Sequence, residues 1–518
     1  MRLADLVAAS HDVSRTPGRL EKIARVAALL RVCDPVDVAL AIPFLSGALT
    51  QGKIGVGYAA IRESSGVPPA AASTLTLTDV DRAFDEAAGV RGAGSAALRS
   101  QRLRDLFGRA TSDEQDFLRR LLFGELRQGA LEGVLLDAVA SAASIPAEQI
   151  RRAFMLAGSL TPVAVAALGE GEPALRAMDV HLFSPLQPML AGSAGSVDEA
   201  LDEFDEAGLE FKLDGARIQV HKSGTEVRVY SRSLRNVSAA VGDVIEAVRA
   251  LPARELILDG EAIALRPNGT PHPFQITMRR FGRKRDVDAM RGELPLSPFF
   301  FDCLYIDGAS TLDEPLSRRV ALLDEAVPEA MRTPTLLRPA RESAAAFLAR
   351  AESMGHEGVM VKSLEASYAA GRRGSAWLKV KRAHTLDLVI LAAEWGSGRR
   401  RGTLSNLHLG ARDQERGGFV MLGKTFKGLT DEMLAWQTRE LLAREIGRDG
   451  HVVFVKPELV AEIAFNDIQE SPQYPGRLAL RFARVKQYRR DKSAAEADTF
   501  ETIRRLYTRM TGLEPPLR

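Results

Sequence analysis

Lys212 is the residue of this sequence best suited by its neighbours to act as a nucleophile. It lies in the run 210–217 (EFKLDGAR), where polar and apolar side chains alternate as in a β-strand. Glu210, Lys212 and Asp214 are therefore expected to share one strand face. Apolar neighbours disfavour the charged form of a lysine, and Arg217 adds a fixed positive charge nearby. We predict that Lys212 loses its proton readily and becomes a nucleophile.

Further charged residues stand within or beside the strand-like segments that follow. These are Arg232, Asp259 with Glu261, Glu357, and the alternating lysines Lys379 and Lys381. Each alone has an ordinary explanation, such as a strand end, a turn or a solvated sheet edge. Together with Lys212, they supply one candidate nucleophile, several acidic side chains and several basic side chains. That set suits a polyphosphate bound by arginine and lysine, with Mg²⁺ bound by the carboxylates.

These segments resemble the motifs of the covalent nucleotidyltransferases, which include ATP-dependent DNA ligases, RNA ligases and mRNA capping enzymes. Residues 212–217 resemble the KxDGxR signature, and several motifs in the family order are far more specific than one alone. The further motifs are the segments 231–233, 259–261, 300–302, 357–362, 377–381 and 481–492. A helical region before this core is the layout of archaeal and eukaryotic-type ATP-dependent DNA ligases.

The resemblance implies a role for each motif residue. Lys212 attacks the α-phosphorus of ATP, forms a lysyl-AMP phosphoramidate and expels pyrophosphate. Glu210 reads the adenine amino group and Phe301 stacks on the base, although Phe301 equally suits a core position. Arg217 and Arg232 steer phosphates, including the 5′-phosphate of a nick. The remaining implied roles are ribose or metal contact by Glu261, metal binding by Glu357, nucleotide-phosphate contacts by Arg373, Lys379 and Lys381, and pyrophosphate orientation by Arg484, Arg489 and Lys492.

The activity implied by the resemblance is the sealing of nicks in duplex DNA. AMP passes from the lysine to the 5′-phosphate, and the adjacent 3′-hydroxyl then displaces AMP. RNA-strand joining or capping by the same lysine is one alternative, and a non-catalytic DNA-binding scaffold is another. The helical region favours duplex DNA, since capping enzymes and most RNA ligases lack it. The C-terminal motif departs from the family pattern at Ala483, where proline is common, and at Arg490, where an acid is common.

The whole-chain composition is that of a globular protein with several domains. The 518 residues are 46% hydrophobic and 26% charged, with a net charge of only +2, so total charge makes no case for a nucleic-acid partner. Cys33 and Cys303 lack metal-ligand spacing, which speaks against the zinc quartet of NAD-dependent ligases and favours ATP as donor. We expect a cytoplasmic, nucleoid-associated monomer without a signal peptide or membrane span. Recruitment by a sliding clamp is left open.

Sequence periodicity divides the chain into three regions that must position these residues. Residues 1–175 are predicted to form an all-α DNA-binding domain, with helix starts at Thr16-Pro17, at Asp34-Pro35 and at Ser112 with Gln115. Residues 176–384 alternate strands with helices, which predicts an α+β nucleotidyltransferase (adenylation) domain. Residues 385–518 contain many short strands and one helix, which fits a barrel with an OB-fold; a sandwich is the competing fold.

Two sets of basic residues are candidates for contacts with DNA. The arginines of the helical region include Arg91, Arg99, Arg102, Arg104, Arg119 and Arg120. For these, the ordinary interpretation as solvated helix faces is favoured over a phosphate-binding surface. The basic loop 396–402, together with Lys424 and Lys427, suits phosphate contacts, and an exposed flexible loop is the alternative.

Overall fold

The N-terminal region is helical. The structure, a computed structural model, describes residues 1–64, 66–126, 132–282, 291–370, 373–381 and 384–516. A single hydrophobic core joins the helices of this region and buries the rings of Phe44, Phe84, Phe107, Phe117 and Phe154. The helices are α1 (Leu3–Arg15), α2 (Arg19–Leu30), α3 (Pro35–Ser46), α4 (Tyr58–Ser64), α5 (Leu77–Gly89), α6 (Ser95–Arg109), α7 (Ser112–Phe123), α8 (Glu132–Ala143), α9 (Ala147–Ala157), α10 (Leu160–Gly169) and α11 (Glu172–Arg176).

One of the three predicted helix starts is confirmed. The Asp34 carboxylate caps α3 by accepting the backbone N–H of Asp37 at 2.8 Å, with Pro35 as first helical residue. The start at Thr16-Pro17 is wrong, because the backbone N–H and the hydroxyl of Thr16 both bond back to the Asp12 carbonyl and end α1. The capping box of α7 is formed by Thr111 and Glu114, one residue before the predicted pair.

Two sheets of five strands each lie in the described part of the middle region, in the orders β1-β10-β9-β2-β8 and β4-β3-β5-β6-β7. The strand predicted to run through Lys212 ends at Phe211 and the next begins at Ala216, so Lys212 and Asp214 lie between two strands and do not share a strand face with Glu210. The strands are β1 (Leu190–Ser193), β2 (Ala207–Phe211), β3 (Ala216–Ser223), β4 (Glu226–Ser231), β5 (Glu255–Ala264), β6 (Leu296–Ile306), β7 (Ala309–Ser310), β8 (Thr335–Leu337), β9 (Gly358–Ser363) and β10 (Arg373–Lys381). The helices are α12 (Val197–Asp202), α13 (Gly242–Arg249), α14 (Phe274–Gly282), α15 (Leu316–Ala326) and α16 (Arg341–Ser353).

The C-terminal region is rich in strands and is organised around one long strand, β11 (His384–Trp395). Its first half pairs with β16, its second half pairs with β15, and β12 pairs along the other edge. Residues 478–488 form two strands, separated at Phe482, whose φ is +55°. The remaining elements are β12 (Leu404–Arg412), β13 (Phe419–Thr425), α17 (Asp431–Ala443), β14 (Glu445–Asp449), β15 (Val452–Val455), β16 (Val460–Phe465), β17 (Asp467–Glu470), β18 (Leu478–Arg481), β19 (Arg484–Tyr488) and α18 (Phe500–Thr511).

Both flanking regions contact the middle region. Met155 and Leu156 of α9 share a buried cluster with Tyr368 and Trp377 of the middle region. The hairpin of β17 and β18 approaches α14, where the Arg481 guanidinium lies 4.9 Å from the centroid of the Phe274 ring. The middle region, which carries most of the motif residues, is therefore in contact with both the helical region and the C-terminal region.

Among the described helices, none combines the length and apolar character needed to cross a lipid bilayer.

Candidate active site

Lys212 lies directly after β2, and its backbone is still paired with β9. Its N–H donates to the Gly358 carbonyl at 2.8 Å, and its carbonyl accepts the Glu357 N–H at 3.1 Å. Lys212 and Glu357 are thereby held opposite each other across the end of two strands. The signature glycine, Gly215, lies so close to β5 that an added Cβ would be 2.5 Å from the Ala262 carbonyl oxygen. Only glycine allows the chain to turn from Lys212 into β3 at this point.

One carboxylate, that of Glu357, binds two lysines. Its Oε2 forms an ion pair with the Lys212 ammonium and a second with Lys381 at 2.6 Å, and all three side chains are about four-fifths buried. Burial is the largest single effect and would lower the pKa of Lys212, but the charge and hydrogen bond of Glu357, together with the charges of Glu261 and Asp214, outweigh it and raise the pKa above its ordinary value. The raised pKa contradicts the prediction that Lys212 loses its proton readily. Its apolar neighbours were visible in the sequence, but its distant ionic partner was not.

The other carboxylates near Lys212 carry less charge than Glu357 at neutral pH. Burial raises the pKa of Glu261 to about 8 and that of Asp214 to about 6. Lys212 and Lys381 instead lower the pKa of Glu357, although burial opposes this effect. Burial, together with repulsion by Lys212, lowers the pKa of Lys381. Glu357 is therefore the anion that holds both amines in place.

A second charged pair lies deeper in the middle region. The Lys362 Nζ lies 2.5 Å from the Glu210 Oε2, and both side chains are almost completely buried. The Lys362 Nζ lies 4.5 Å from the centroid of the Phe301 ring and 4.2 Å from that of Trp377. Glu210 and Phe301 therefore both lie next to Lys362, which agrees with the shared adenine site that the resemblance implies. The Glu210 carboxylate, however, is already paired with Lys362. The sequence analysis predicted no role for Lys362 or Trp377. Strand alternation was a local signal for the orientation of Lys362, because it places Lys362 and Met360 on one face of β9.

Behind this pair lies a fully buried salt bridge. The Arg319 guanidinium of α15 donates to both carboxylate oxygens of Asp302, at 2.7 and 3.1 Å, and neither side chain is exposed. We predict that Arg319→Met lowers the free energy of unfolding by about 3–5 kcal/mol, because it leaves a buried charge without its partner. Denaturant unfolding measures this loss. The double substitution Arg319→Met with Asp302→Leu should recover most of it, and a double variant as unstable as the single one would contradict the assignment.

Arg217 is already engaged in this structure. Its Nε and Nη2 bind the two carboxylate oxygens of Asp259 at 3.0 and 2.6 Å, and its Nη1 donates to the Met189 carbonyl at 2.7 Å. A longer contact of 3.4 Å joins Nη2 to the Tyr368 hydroxyl. These bonds use four of the five N–H donors of the guanidinium. Arg217 therefore retains one N–H for a phosphate or ribose oxygen, and a bidentate phosphate contact would require it to leave Asp259.

Two of the predicted site residues, Arg489 and Lys492, are paired within the C-terminal region. Both form ion pairs with Asp387, at 3.0 and 2.5 Å. Arg232 and Arg484 are exposed. Lys379 lies on β10, two residues before Lys381, and the side chain of Arg373 at the start of β10 lies outside the described residues.

The C-terminal motif residue that does approach the cluster is Arg481. Its guanidinium pairs with Asp467 at 3.6 Å, and its charge lowers the pKa of Asp214, against the larger effect of burial. Asp467 is itself close enough to Glu357 for the repulsion to raise its pKa, after the larger contribution from burial. Neither Arg481 nor Asp467 was predicted as a site residue, because no local sequence pattern shows that the β17–β18 hairpin approaches Asp214.

The carboxylates here fit a metal only together with a phosphate ligand. Across the parts of the chain that the structure describes, no three His, Cys, Asp or Glu side chains are grouped so that they could hold a metal ion. Mg²⁺ ordinarily binds one or two carboxylates, with the phosphates of the substrate and waters completing its shell. Glu357 and Glu261 fit this mode, in which the ion enters with a nucleotide.

Comparisons with known proteins agree in placing the chain in one family. Residues 58–140 match the family model "DNA ligase N terminus", residues 188–381 match "ATP dependent DNA ligase domain" and residues 400–492 match "ATP dependent DNA ligase C terminal region". A solved structure named "Pmar-Lig_PreS3" aligns with a TM-score of 0.60 at 17% identity, over 93% of this chain and 99% of the other, which is a likeness of fold.

Curated relatives match over nearly the full length. A "Probable DNA ligase" of Anaeromyxobacter sp. (strain Fw109-5) is 58% identical over 516 residues, covering 99% of each chain. A "Probable DNA ligase" of Sorangium cellulosum (strain So ce56) is 53% identical, over 98% of this chain and 95% of the relative. Identity at this level along the whole chain shows that the protein belongs to the ATP-dependent DNA ligase family.

Proposed function

We propose that this protein seals nicks in duplex DNA at the expense of ATP, with Lys212 as the adenylated residue. One observation carries the assignment of the nucleophile. The Lys212 amine is fixed at the end of β2 by the carboxylate of Glu357, beside a second lysine, Lys381, and the carboxyl groups of Asp214 and Glu261. An amine that is to attack a triphosphate needs such an arrangement of cations for the phosphates and carboxylates for the accompanying metal.

We propose that the adenine base binds at Glu210 and Phe301. Phe301 offers a ring face for stacking, and the Glu210 carboxylate is an acceptor for the adenine amino group. The Lys362 Nζ is paired with the Glu210 Oε2 at 2.5 Å. An incoming base must therefore share or displace that lysine, which makes Lys362 part of the same proposed site.

Glu357 and Glu261 are proposed to hold Mg²⁺ together with the phosphates of ATP. The ion would neutralise the charge that develops on the phosphate oxygens. Its arrival would also compete with the lysines for Glu357, which releases Lys212 from the partner that keeps it protonated. Lys381 is paired with Glu357, Lys379 lies two residues before it on β10, and Arg373 begins the same strand; we assign all three to the nucleotide phosphates.

The later steps use the same residues on a different phosphate. AMP passes from Lys212 to the 5′-phosphate of the nick, and the 3′-hydroxyl then attacks that phosphorus and expels AMP. Arg232 is exposed and is assigned to the 5′-phosphate, with the remaining N–H of Arg217. Arg484, Arg489 and Lys492 are assigned to the pyrophosphate once the C-terminal region closes over the site, and Arg489 and Lys492 must then leave Asp387, to which they are bound here.

We propose three domains: a helical DNA-binding domain (1–175), an adenylation domain (176–384) and an OB-fold domain (385–518). The strand pairing around β11 supports a barrel in the last of these. Several arginines of the helical domain are paired with acids, such as Arg102 with Glu86 at 3.0 Å and Arg104 with Glu63 at 3.2 Å. For them the solvated-face interpretation fits, so DNA contact is assigned to exposed bases such as Arg91. In the basic loop region, Lys424 is bound to Glu394.

A comparison of nicked substrates tests this function. The purified enzyme, supplied with ATP and Mg²⁺, is expected to seal a nicked DNA duplex and to seal the same nick in an RNA duplex much more slowly. Denaturing gels that follow the ligated strand measure both rates. Faster sealing of the RNA nick would favour the RNA-joining alternative. Self-labelling by ATP without sealing of either nick would contradict the proposed function.

A further inference from the structure

Three side chains of β3 hold the segment that joins the helical region to the adenylation sheets. Arg217, Gln219 and His221 alternate along the strand and so share one face. His221 Nδ1 accepts the Phe183 N–H at 2.9 Å, and the Gln219 amide bonds both the N–H and the carbonyl of Leu186, at 2.7 and 3.2 Å. The strand that begins at the end of the KxDGxR signature is therefore also the support for the connecting segment 183–189.

The same segment is bound to the helical region on its other side. The Gln187 backbone N–H donates to the Met155 carbonyl at 2.9 Å, and its side-chain amide donates to the Gly158 carbonyl at 2.7 Å. Met155 and Gly158 lie at the end of α9. The segment therefore forms hydrogen bonds with α9 on one side and with β3 on the other. Met155 and Leu156 of α9 also pack in the buried cluster that contains Tyr368.

Tyr368 closes this network at Met189, the last residue before β1. Its buried hydroxyl donates to the Asp259 Oδ2 at 2.7 Å and accepts the Met189 N–H at 3.0 Å. Asp259 in turn binds Arg217, and Arg217 donates to the Met189 carbonyl. Both backbone polar groups of Met189 are therefore held by a closed ring of Tyr368, Asp259 and Arg217, which we call the Met189 clasp.

We propose that Tyr368 is a positioning residue for nick sealing, because its hydroxyl fixes the Arg217 guanidinium relative to the connecting segment and hence to the helical region. This inference rests on the proposed function. Arg217 has one N–H left for substrate, and the direction of that N–H is set by the clasp. Without the hydroxyl, Asp259 loses a donor, Met189 loses an acceptor, and Arg217 can rotate with Asp259 away from the phosphate of the nick.

Tyr368→Phe in the full-length enzyme tests the proposal, since it removes the hydroxyl and little else. We expect kcat for sealing nicked DNA to fall about tenfold, while KM for the nick changes little, because buried groups are left without partners at a phosphate-binding residue. The substitution should cost much less in an Arg217→Lys background, since a residue that acts through Arg217 has little left to position. Equal losses in both backgrounds would overturn the proposal.

Tyr230→Phe is the matched control. The Tyr230 hydroxyl is also buried and also holds the connecting segment, donating to the Phe183 carbonyl at 2.7 Å, but at the end away from Met189. It should lose similar thermal stability and keep its kcat. If Tyr230→Phe slowed sealing as much as Tyr368→Phe, the effect would be structural and the positioning role would be refuted.

Two further outcomes are distinguishable. If Tyr368→Phe does not fold, Asp259→Asn opens the clasp from the other side at nearly constant volume, and the same loss of kcat and the same dependence on Arg217 are required. If the wild-type enzyme itself fails to seal the nick, the proposed function is wrong and the positioning role falls with it. If the wild type seals and both clasp variants match Tyr230→Phe, the positioning role alone is wrong.

Discussion

Lys212→Ala is expected to abolish covalent labelling of the enzyme by ATP that carries a label on the α-phosphate. The phosphoramidate needs an amine at the end of β2, and alanine supplies none. Loss of a covalent nucleophile costs about ten-thousandfold or more in rate. Incubation with ATP and Mg²⁺, followed by denaturing electrophoresis, measures the label. Lys456→Ala, which removes an exposed lysine of the C-terminal region, is the matched control and should label normally.

The sharper form of this experiment asks which of two lysines carries AMP. Lys381 shares the Glu357 carboxylate with Lys212, and its pKa is lowered by burial and by Lys212, whereas that of Lys212 is raised. Lys381 is thus the easier of the two amines to deprotonate. If ease of deprotonation chose the nucleophile, peptide mass spectrometry would find AMP on Lys381. We expect it on Lys212, because in-line geometry at the α-phosphorus decides the attack. Adenylate on Lys381 would contradict the assignment.

Sequence reasoning found the strands of the site because their signals are local. Residues 216–223 alternate in polarity and follow a turn, so β3 could be predicted from its own residues. The C-terminal helix α18 was missed, although Thr499 caps it and Phe500, Ile503 and Tyr507 form its buried face. The break at Phe482 could not be predicted, because a positive φ at a phenylalanine is set by its surroundings and not by its preference.

The electrostatics of the site could not be predicted from local sequence for a related reason. The charge state of Lys212 is set by Glu357, and the occupancy of Glu210 by Lys362, each on a strand far away along the chain. Arg217 could be recognised as a signature residue, but its engagement by Asp259, Met189 and Tyr368 depends on how β3, β5 and the connecting segment meet. Motifs identify which residues meet. They do not show which of those residues are already paired before substrate arrives.

Glu357→Gln is expected to change two properties of Lys212 in opposite directions. Self-adenylylation should fall about a hundredfold to a thousandfold, because the carboxylate that pairs with both lysines, and that we propose as a metal ligand, is lost. In the enzyme without metal or nucleotide, however, Lys212 should react faster with an amine-acylating reagent at a fixed pH. Glu357 raises the pKa of Lys212 against the effect of burial, so its removal lowers that pKa and increases the neutral fraction of the amine.

Peptide mass spectrometry after brief acylation across a range of pH measures the second property, and ATP labelling measures the first. Glu394→Gln is the control, because Glu394 also binds a lysine, Lys424, but in the C-terminal region. It should alter neither the adenylylation nor the acylation of Lys212. A fall in both rates for Glu357→Gln would mean that the carboxylate only maintains the local fold. An unchanged adenylylation rate would remove Glu357 from the metal site. Opposite changes would establish that the residue which orients the nucleophile is also the one that keeps it inactive until the nucleotide binds.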